Sequence, residues 1–398
     1  MSQATAPPLA LGQTTDAASV TEFKLGHRPE LDGLRGISIL LVLMLHFGLS
    51  FATGGFLGVD IFFVLSGFLI TSLLVQEWNT RGAISLKKFY IRRALRLMPA
   101  VFAFMIGTGV YAFLFLTREQ AWLTYQGILL TLSYVSNWVF AFSDTVKSGP
   151  LGITWSLAIE EQFYLLWPLT MVLLLKLRVK QRVILLMTVF TIVLVALHRK
   201  ILLEGGVRIE RLYYGSDTRA DALLIGCLVA LLLAWNVLPG NDLFRWIMKG
   251  VAALGALLIL YLVTTTTSQA LFLYAGGFTL VSISVGAILI VLMLWPPTLL
   301  LTALRFQPLR WMGKVSYGLY LWHWPVREYI CPNVQSASVS QLTTAIVIAL
   351  TITTLSFYLI EKRFLKMKER FHSARSEEQH QSCLRALTGS IRAAREAG

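Results

Sequence analysis

Cysteine is scarce in this chain of 398 residues, and the usual cofactor-binding sequences are missing. The three cysteines, Cys227, Cys331 and Cys383, are scattered and form no CxxC spacing. We therefore expect neither a disulfide framework nor a zinc site, and we assign no metal ligand. The chain also lacks a Walker sequence, a GxGxxG before a βαβ unit, HExxH and GxSxG, so ATP-driven transport and soluble-type cofactor binding have no support.

Charged residues are scarce as well, at 14% of the chain, whereas hydrophobic residues make up 56% and the mean hydropathy is +0.66. A soluble fold could not bury so much apolar surface. The composition therefore predicts an all-α, polytopic membrane protein, because a helix satisfies its own backbone hydrogen bonds in hydrocarbon. The first ~25 residues are polar and contain no signal peptide, which predicts a disordered tail.

Hydropathy predicts about ten transmembrane helices in one bundle, and it leaves one further apolar stretch, 127–143, in doubt. That stretch contains Ser133, Ser136 and Asn137, so we expect a re-entrant or interfacial segment. The ten predicted spans lie near residues 34–53, 57–76, 98–117, 153–176, 183–198, 220–237, 248–267, 271–295, 312–330 and 340–361.

The distribution of basic residues predicts which ends face the cytoplasm. With ten spans and a cytoplasmic N-terminus, 27 of the 35 lysines and arginines fall on the inner side, as the positive-inside rule requires. We expect both termini in the cytoplasm and the protein in the inner (cytoplasmic) membrane. The predicted parts are a disordered tail (1–27), a transmembrane domain (28–365) and a basic tail (366–398). The net charge of +14 then reflects topology and lipid attraction, so no nucleic-acid partner is expected.

Arg35 and His46 are the most informative pair. They are eleven residues apart, about three helical turns, so both side chains point the same way, ~16 Å apart along one helix. A histidine within a bilayer is costly and suggests a function, although it could also be a hydrogen-bonded packing residue. An arginine at the membrane surface could hold an anion while a long ligand reaches the imidazole, and acyl-CoA has that shape.

Two carboxylates are predicted at membrane depth. Asp60, early in the second span, could orient His46 or bind an acceptor hydroxyl, or it could only anchor the helix. Glu160 follows Ser156 and precedes Tyr164 at intervals of four residues, which predicts one polar stripe on the fourth span. The stripe would face a cavity, or it would form a structural network between helices.

Arginines precede the third span, where Arg93 and Arg96 are expected on one basic face of an amphipathic helix. This face would contact lipid phosphates or clamp the phosphates of a nucleotide-like ligand, since guanidinium groups suit bidentate phosphate binding.

Polar residues also mark two later spans. Arg219 and Asp221, at the start of the sixth span, could form a local salt bridge or part of an acceptor site. Tyr317 and His323 lie in an aromatic ninth span. Aromatic faces can stack on sugars, although they also form interfacial belts.

Six segments of the chain together resemble the acyltransferase family 3 membrane proteins, over about residues 28–365. They are RPELDGLRGISILLVLMLHF, GGFLGVDIFFVLSGFLIT, RRALRLMPA, WSLAIEEQFYLLWP, DTRADALLIG and KVSYGLYLWHWP. The resemblance implies transfer of an acyl group, usually acetyl, from cytoplasmic acyl-CoA to a hydroxyl of an extracytoplasmic glycan or glycosylated small molecule. The family's arginine–histidine signature falls on Arg35 and His46, and its RxxR pair on Arg93 and Arg96. Its Ser-Glu-Phe-Tyr motif falls on Ser156, Glu160, Phe163 and Tyr164.

These observations lead to one expected mechanism. Acyl-CoA is the only co-substrate expected; its phosphates would bind the donor-side residues Arg35, Arg93 and Arg96. His46, oriented by Asp60 or Glu160, would act as a general base or as a transient acyl carrier. The expected supporting residues on the acceptor side are Ser156, Tyr164, Arg219, Asp221, Tyr317 and His323.

Two other functions remain open from the sequence. One is a proton-coupled transporter or flippase that uses the intramembrane histidine and glutamate as a relay. The second is a multi-span glycosyltransferase that uses a lipid-linked sugar.

Overall fold

The structure, a computed structural model, describes residues 26, 28–143 and 149–367, and within these ranges it contains helices and no strand. The predicted tails, 1–27 and 366–398, lie almost entirely outside the described residues. The α-helices are α1 (Pro29–His46), α2 (Leu57–Arg81), α3 (Leu86–Phe115), α4 (Arg118–Leu132), α5 (Ser136–Phe142), α6 (Thr154–Lys176), α7 (Gln181–Glu204), α8 (Ile209–Tyr214), α9 (Ser216–Ala234), α10 (Asp242–Thr265), α11 (Phe278–Leu294), α12 (Thr298–Leu304), α13 (Gln307–Ile330) and α14 (Val339–Ser356).

Seven of the helical segments in the described ranges are long and apolar enough to cross a membrane: Leu57–Arg81, Leu86–Phe115, Thr154–Lys176, Gln181–Glu204, Asp242–Thr265, Leu273–Leu294 and Val339–Met367. The other three predicted spans correspond to α1, α9 and α13, which are also long helices but carry several charged side chains. The structure therefore supports a polytopic membrane protein, while ten spans and cytoplasmic termini stay predictions.

The doubtful stretch 127–143 is not one continuous helix. It contains the end of α4 and all of α5, separated at Tyr134, whose φ of 53° lies in the left-handed region that ends helices. α4 has 15 residues, about 22 Å at 1.5 Å per residue, which is shorter than a bilayer core of ~30 Å. α5, with 7 residues, is shorter still.

The centre of the bundle is the packing of α2 against α9. A Cβ on Gly67 of α2 would overlap the carbonyl of Leu223, and a Cβ on Gly226 of α9 would overlap the carbonyl of Val64. Glycine at both positions lets the two backbones approach closely, which is how helices associate in a membrane. As a result, 83% of the most apolar 18-residue stretch of α2 is buried inside the protein. The corresponding share for α10, at the periphery, is 22%.

The second close pair, α1 with α13, positions the candidate site. A Cβ on Gly313 would overlap the carbonyl of Asp32, so again the absence of a side chain permits close contact. Pro29 starts α1, where its missing N–H costs nothing, and the helix runs unbroken to His46. The Arg35–His46 alignment expected from the sequence is therefore held on one rigid element beside α13.

Candidate active site

Three arginines surround a small basic cavity of about 50 Å³ between α1, α2, α3, α6 and α13. The cavity brings together seven residues singled out in the sequence: Arg35, Arg93, Arg96, Ser156, Glu160, Tyr164 and Tyr317. The polar stripe predicted on α6 faces it as a unit, and Ser66, Ser316 and Tyr320 complete its polar lining.

The arginines of the basic cavity have few partners. Arg35 donates from Nη2 to Ser316 Oγ at 3.1 Å, and the Arg93 guanidinium lies over the Tyr164 ring, 3.4 Å from its centroid. Within the described ranges, no ion pair links Arg35, Arg93 or Arg96 to a carboxylate, and Arg93 Nε is buried without a hydrogen-bond partner. Cations that are half-buried together favour a compensating negative charge, so this arrangement is suited to an anionic ligand.

Among the residues that the structure describes, one carboxylate, that of Glu160, lines the basic cavity. It accepts a hydrogen bond from Ser66 Oγ at 2.6 Å. Three guanidinium groups and one carboxylate leave a net charge of +2 when Glu160 is ionised. The cavity is therefore electrostatically complementary to a phosphate-bearing group.

His46 lines a second, larger cavity of about 440 Å³, which we call the aromatic cavity. Its walls come from α1, α2, α6, α8, α13 and the segments beside them. Besides His46 it is lined by Trp155, Tyr213, Tyr214, Tyr274, Tyr320 and Trp324, with Glu210 and Gln269 as polar groups. Flat aromatic faces with a few hydrogen-bonding groups are a common surface for sugar rings.

Hydrogen bonds determine which nitrogen of His46 is available. His323, fully buried, contacts the carbonyl oxygen of Leu319 through Nδ1 at 2.9 Å, and a carbonyl can only accept, so His323 Nδ1 carries the proton. In the neutral ring, His323 Nε2 is then an acceptor, and it lies 2.8 Å from His46 Nδ1. His46 Nδ1 therefore donates, and His46 Nε2 keeps a free lone pair.

The two cavities meet at a thin wall. Val59 and Tyr320 line both of them. The Tyr320 hydroxyl is held by Ser156 Oγ at 2.7 Å and donates to the carbonyl of Ile153 at 3.2 Å. A ligand that extends from Arg35 to His46 would therefore pass beside Tyr320.

Neither predicted carboxylate contacts His46, which corrects the expectation that Asp60 or Glu160 orients it. Glu160 lines the basic cavity, and Asp60 lies at neither cavity but pairs with Arg219 of α9 at 2.8 Å. The partner that holds His46 is His323, which the sequence indicated only as an acceptor-side residue. Asp60 does not reach His46 because the face of α2 that carries Asp60 packs on α9.

Arg219 and Asp221 do not form the local salt bridge considered from the sequence. Side chains two residues apart on a helix point in different directions, so each one finds a partner on another helix. Arg219 pairs with Asp60 and stacks over Phe278 at 3.7 Å, and Asp221 pairs with Arg199 at 3.0 Å. These four charges form a buried network, and none of them lines either cavity.

Sequence reasoning missed Arg199, Tyr320 and Trp324. Arg199 lies just past the predicted span 183–198, but α7 continues to Glu204 and buries Arg199 completely. Tyr320 and Trp324 fall in the aromatic segment of α13, and the intervals of three and four residues from Tyr317 to Tyr320 and from Tyr320 to Trp324 could have indicated a shared face. Among the described residues, no group of three or more His, Cys, Asp or Glu is arranged to hold a metal.

The fold and the cavities are those of a multi-pass α-helical membrane protein with a basic cavity next to a cavity that contains a histidine. The chain belongs to the acyltransferase 3 family, whose acyltransferase-domain model matches residues 28–361.

Curated relatives agree with this family. The peptidoglycan O-acetyltransferase OatA of Listeria monocytogenes is 37% identical over 359 residues, covering 86% of this chain and 56% of its own length. The putative peptidoglycan O-acetyltransferase YrhL of Bacillus subtilis is 37% identical over 346 residues, covering 84% and 54%. A putative O-acetyltransferase of Staphylococcus aureus is 34% identical over 353 residues, covering 86% and 58%. The chain thus spans little more than half the length of these relatives. No solved structure matches the chain significantly.

Proposed function

We propose that this protein is a membrane-embedded O-acetyltransferase of the cytoplasmic membrane, which moves an acetyl group from cytoplasmic acyl-CoA to a hydroxyl of a glycan. The observation that carries the proposal is the pair of cavities that share Tyr320. Arg35 lines the basic cavity and His46, on the same helix, lines the aromatic cavity. Family membership and the peptidoglycan O-acetyltransferases among the relatives support O-acetyl transfer and a glycan acceptor.

The donor would bind through its phosphates at Arg35, Arg93 and Arg96. Three guanidiniums with a single lining carboxylate favour a multiply charged anion, and the narrow space of about 50 Å³ suits a thin pantetheine arm rather than a ring system. The arm would run along α1 past Tyr320. The rise of a helix, ~16 Å over eleven residues, would place the thioester at the imidazole.

His46 would serve as the general base. Its Nε2 would take the proton of the acceptor hydroxyl while the hydroxyl oxygen attacks the thioester carbonyl. The C–S bond then breaks, and the CoA thiolate takes up the proton that His46 holds. Throughout, His46 Nδ1 would go on donating to His323, which keeps Nε2 aimed and stabilises the imidazolium.

A transient acyl-imidazole is the second route that the same geometry allows. In that case Nε2 attacks the thioester carbonyl, the C–S bond breaks, and CoA leaves as the thiolate while the acyl-imidazolium keeps its Nδ1 proton. The acceptor hydroxyl oxygen then takes the acyl group from Nε2, and the hydroxyl proton neutralises the thiolate. Incubation with radiolabelled donor and no acceptor separates the routes, since only the covalent route leaves label on the acid-quenched protein.

The acceptor would enter the aromatic cavity, where the rings of Trp155, Tyr213, Tyr214 and Trp324 offer faces to a sugar. Glu160, Ser156, Tyr164 and Tyr317 line the other cavity, so we assign them to the donor side. In the same proposal Asp60, Arg219 and Asp221 have a structural role, because their charges compensate one another away from both cavities.

The test uses membrane vesicles supplied with acetyl-labelled acetyl-CoA, with release of CoA thiol and label in glycan, lipid and small-molecule fractions measured together. We expect label with wild type and none with His46→Ala. His198→Ala is the matched control, because His198 is half-exposed, pairs with Asp217 and lines neither cavity. Equal labelling by wild type and His46→Ala would rule out the assignment, and a flux driven by a pH gradient without CoA release would favour a transporter instead.

A further inference from the structure

A third hollow, open to the outside, adjoins the basic cavity at the corner between the end of α2 and the start of α3. It has a volume of about 320 Å³, and we call it the corner hollow, defined by Gln76, Thr80, Arg81, Phe89 and Arg92. Arg93 and Arg96 line both this hollow and the basic cavity. The two spaces are therefore neighbours that share two arginines.

Glu77 organises the arginines of the corner hollow. One carboxylate oxygen, Oε2, accepts from Arg92 Nη2 at 3.0 Å, and the other, Oε1, lies 3.4 Å from Arg81 Nη1. Oε1 also accepts from the backbone N–H of Ser85 at 3.2 Å, which ties Glu77 to the turn before α3. The Glu77 side chain is 9% exposed, whereas Arg81 and Arg92 are 44% and 29% exposed. The carboxylate is thus the buried base of the cluster, and the guanidiniums face the open side.

The cluster has more positive charge and more donors than its single carboxylate can use. Four arginines, 81, 92, 93 and 96, and the one glutamate leave a net charge of +3. Each guanidinium has five N–H donors, while a carboxylate offers about four acceptor positions. Donors are therefore left over on the open side, where a phosphate monoester with two charges and three free oxygens fits.

We propose that the corner hollow binds the terminal phosphate monoester and nucleoside of the donor, the 3′-phosphoadenosine end of CoA, and that Glu77 is a positioning residue for Arg81 and Arg92. This inference rests on the proposed function, since it needs a CoA donor in the basic cavity. The diphosphate would then lie at Arg93 and Arg96, which the two spaces share. The anionic headgroup of a phospholipid presents the same chemistry, so the experiment must separate the two sources.

The experiment measures binding of CoA and of 3′-dephospho-CoA to the purified full chain in phosphatidylcholine nanodiscs. We expect wild type to bind CoA about tenfold or more tightly than dephospho-CoA, because only CoA carries the monoester. Arg92→Gln should weaken CoA binding and leave dephospho-CoA binding unchanged, which removes the preference. Arg81→Gln, at a more exposed side chain, is the second variant if Arg92→Gln does not fold. Arg245→Gln, at an arginine that lines none of the three spaces, is the matched control.

Glu77→Gln tests positioning against charge alone. The change makes the hollow more positive, so charge alone predicts a stronger preference for CoA. Positioning predicts a weaker preference, because Arg81 and Arg92 lose the carboxylate that holds them. A preference that rises would overturn the role of Glu77.

Three further outcomes decide the inference. If wild type binds CoA and dephospho-CoA equally, the corner hollow is not the monoester site, and the proposed function is unaffected. If wild type binds neither ligand, the CoA donor itself fails, and the inference fails with it. If phosphatidylglycerol in the nanodiscs abolishes the preference, a lipid headgroup occupies the hollow and the inference is overturned.

Discussion

Two regions of this protein hold arginines within the helical bundle, fully buried in one and half-buried in the other, and the two regions treat the charges in opposite ways. In the network of α2, α7 and α9, Arg199 and Arg219 face Asp221 and Asp60, so two positive charges meet two negative ones. In the basic cavity, three arginines face the single carboxylate of Glu160. The balanced buried network serves the fold, whereas the surplus of half-buried positive charge is what we propose to be the site for an anion that the protein itself does not supply.

The largest effect that the comparison predicts is on stability, at Asp221. Both of its oxygens are used, one by Arg199 and the other by Thr279 Oγ1 at 2.6 Å. Asp221→Asn would leave Arg199 as an uncompensated buried charge, at a cost of about 3–5 kcal/mol. We expect a strongly lowered melting temperature in detergent. Asp242→Asn, at an exposed pair, should change stability by less than ~1 kcal/mol, and equal melting of the two variants would contradict the balanced-network interpretation.

The next effect is on turnover, at His323. Like the balanced network, the histidine pair joins two helices through side-chain contacts, yet it leaves one nitrogen free for chemistry. His323→Ala removes the acceptor of His46 Nδ1–H, and we expect turnover to fall by about a hundredfold with donor affinity unchanged. His323→Gln, which retains an acceptor oxygen, should recover part of the turnover. If His323→Ala weakened donor binding and turnover alike, a positioning role would be wrong.

A smaller effect is expected on donor affinity, at Arg96. Because Arg96 has no carboxylate partner among the described residues, Arg96→Gln should not destabilise the fold and could raise the melting temperature. Loss of one charge-assisted contact should weaken acyl-CoA binding on the order of tenfold. Calorimetric titration and a melting curve on the same sample measure both quantities. Arg178→Gln, at an exposed position outside the basic cavity, is the control. If Arg96→Gln destabilised the fold and left donor binding normal, Arg96 would stabilise the fold rather than bind the donor.

The smallest effect is expected at Ser316, which accepts the hydrogen bond from Arg35. Ser316→Ala removes one contact of about 0.5–1.5 kcal/mol and leaves Arg35 in place. We expect a severalfold rise in the KM for acyl-CoA and little change in kcat. Ser282→Ala, at a buried serine that only bonds its own helix at Phe278, is the matched control. A change in kcat of tenfold or more would instead assign Ser316 to the reaction itself.

Much of the candidate site could be predicted because its residues follow local rules. Arg35 and His46 share a face of α1, and Ser156, Glu160 and Tyr164 share a face of α6, since helical periodicity alone decides both. The partners of these residues could not be predicted in the same way. Asp60 was a reasonable candidate to orient His46 until the packing of α2 on α9 gave it Arg219 instead.

The ends of the helices also limit what could be predicted from the sequence. The break at Tyr134 divides a stretch that hydropathy reads as continuous, and the extension of α7 to Glu204 moves Arg199 from a loop into the core. Neither change alters the average hydropathy of a window. Both change which charges are buried, and thus which residues form the network.

The sequence by itself determined the class of protein, the positions of the long helices, the faces that carry the polar residues and the acyltransferase family, because hydropathy, helical periodicity and motif spacing are all local. Only the tertiary structure decided that His46 meets His323, 277 residues away, and that Arg35 and His46 line separate cavities. It also decided which buried arginines are balanced and which are not. The physical reason is that an unpaired charge is costly in an apolar environment, but whether a charge finds a partner, and which one, depends on how distant helices pack.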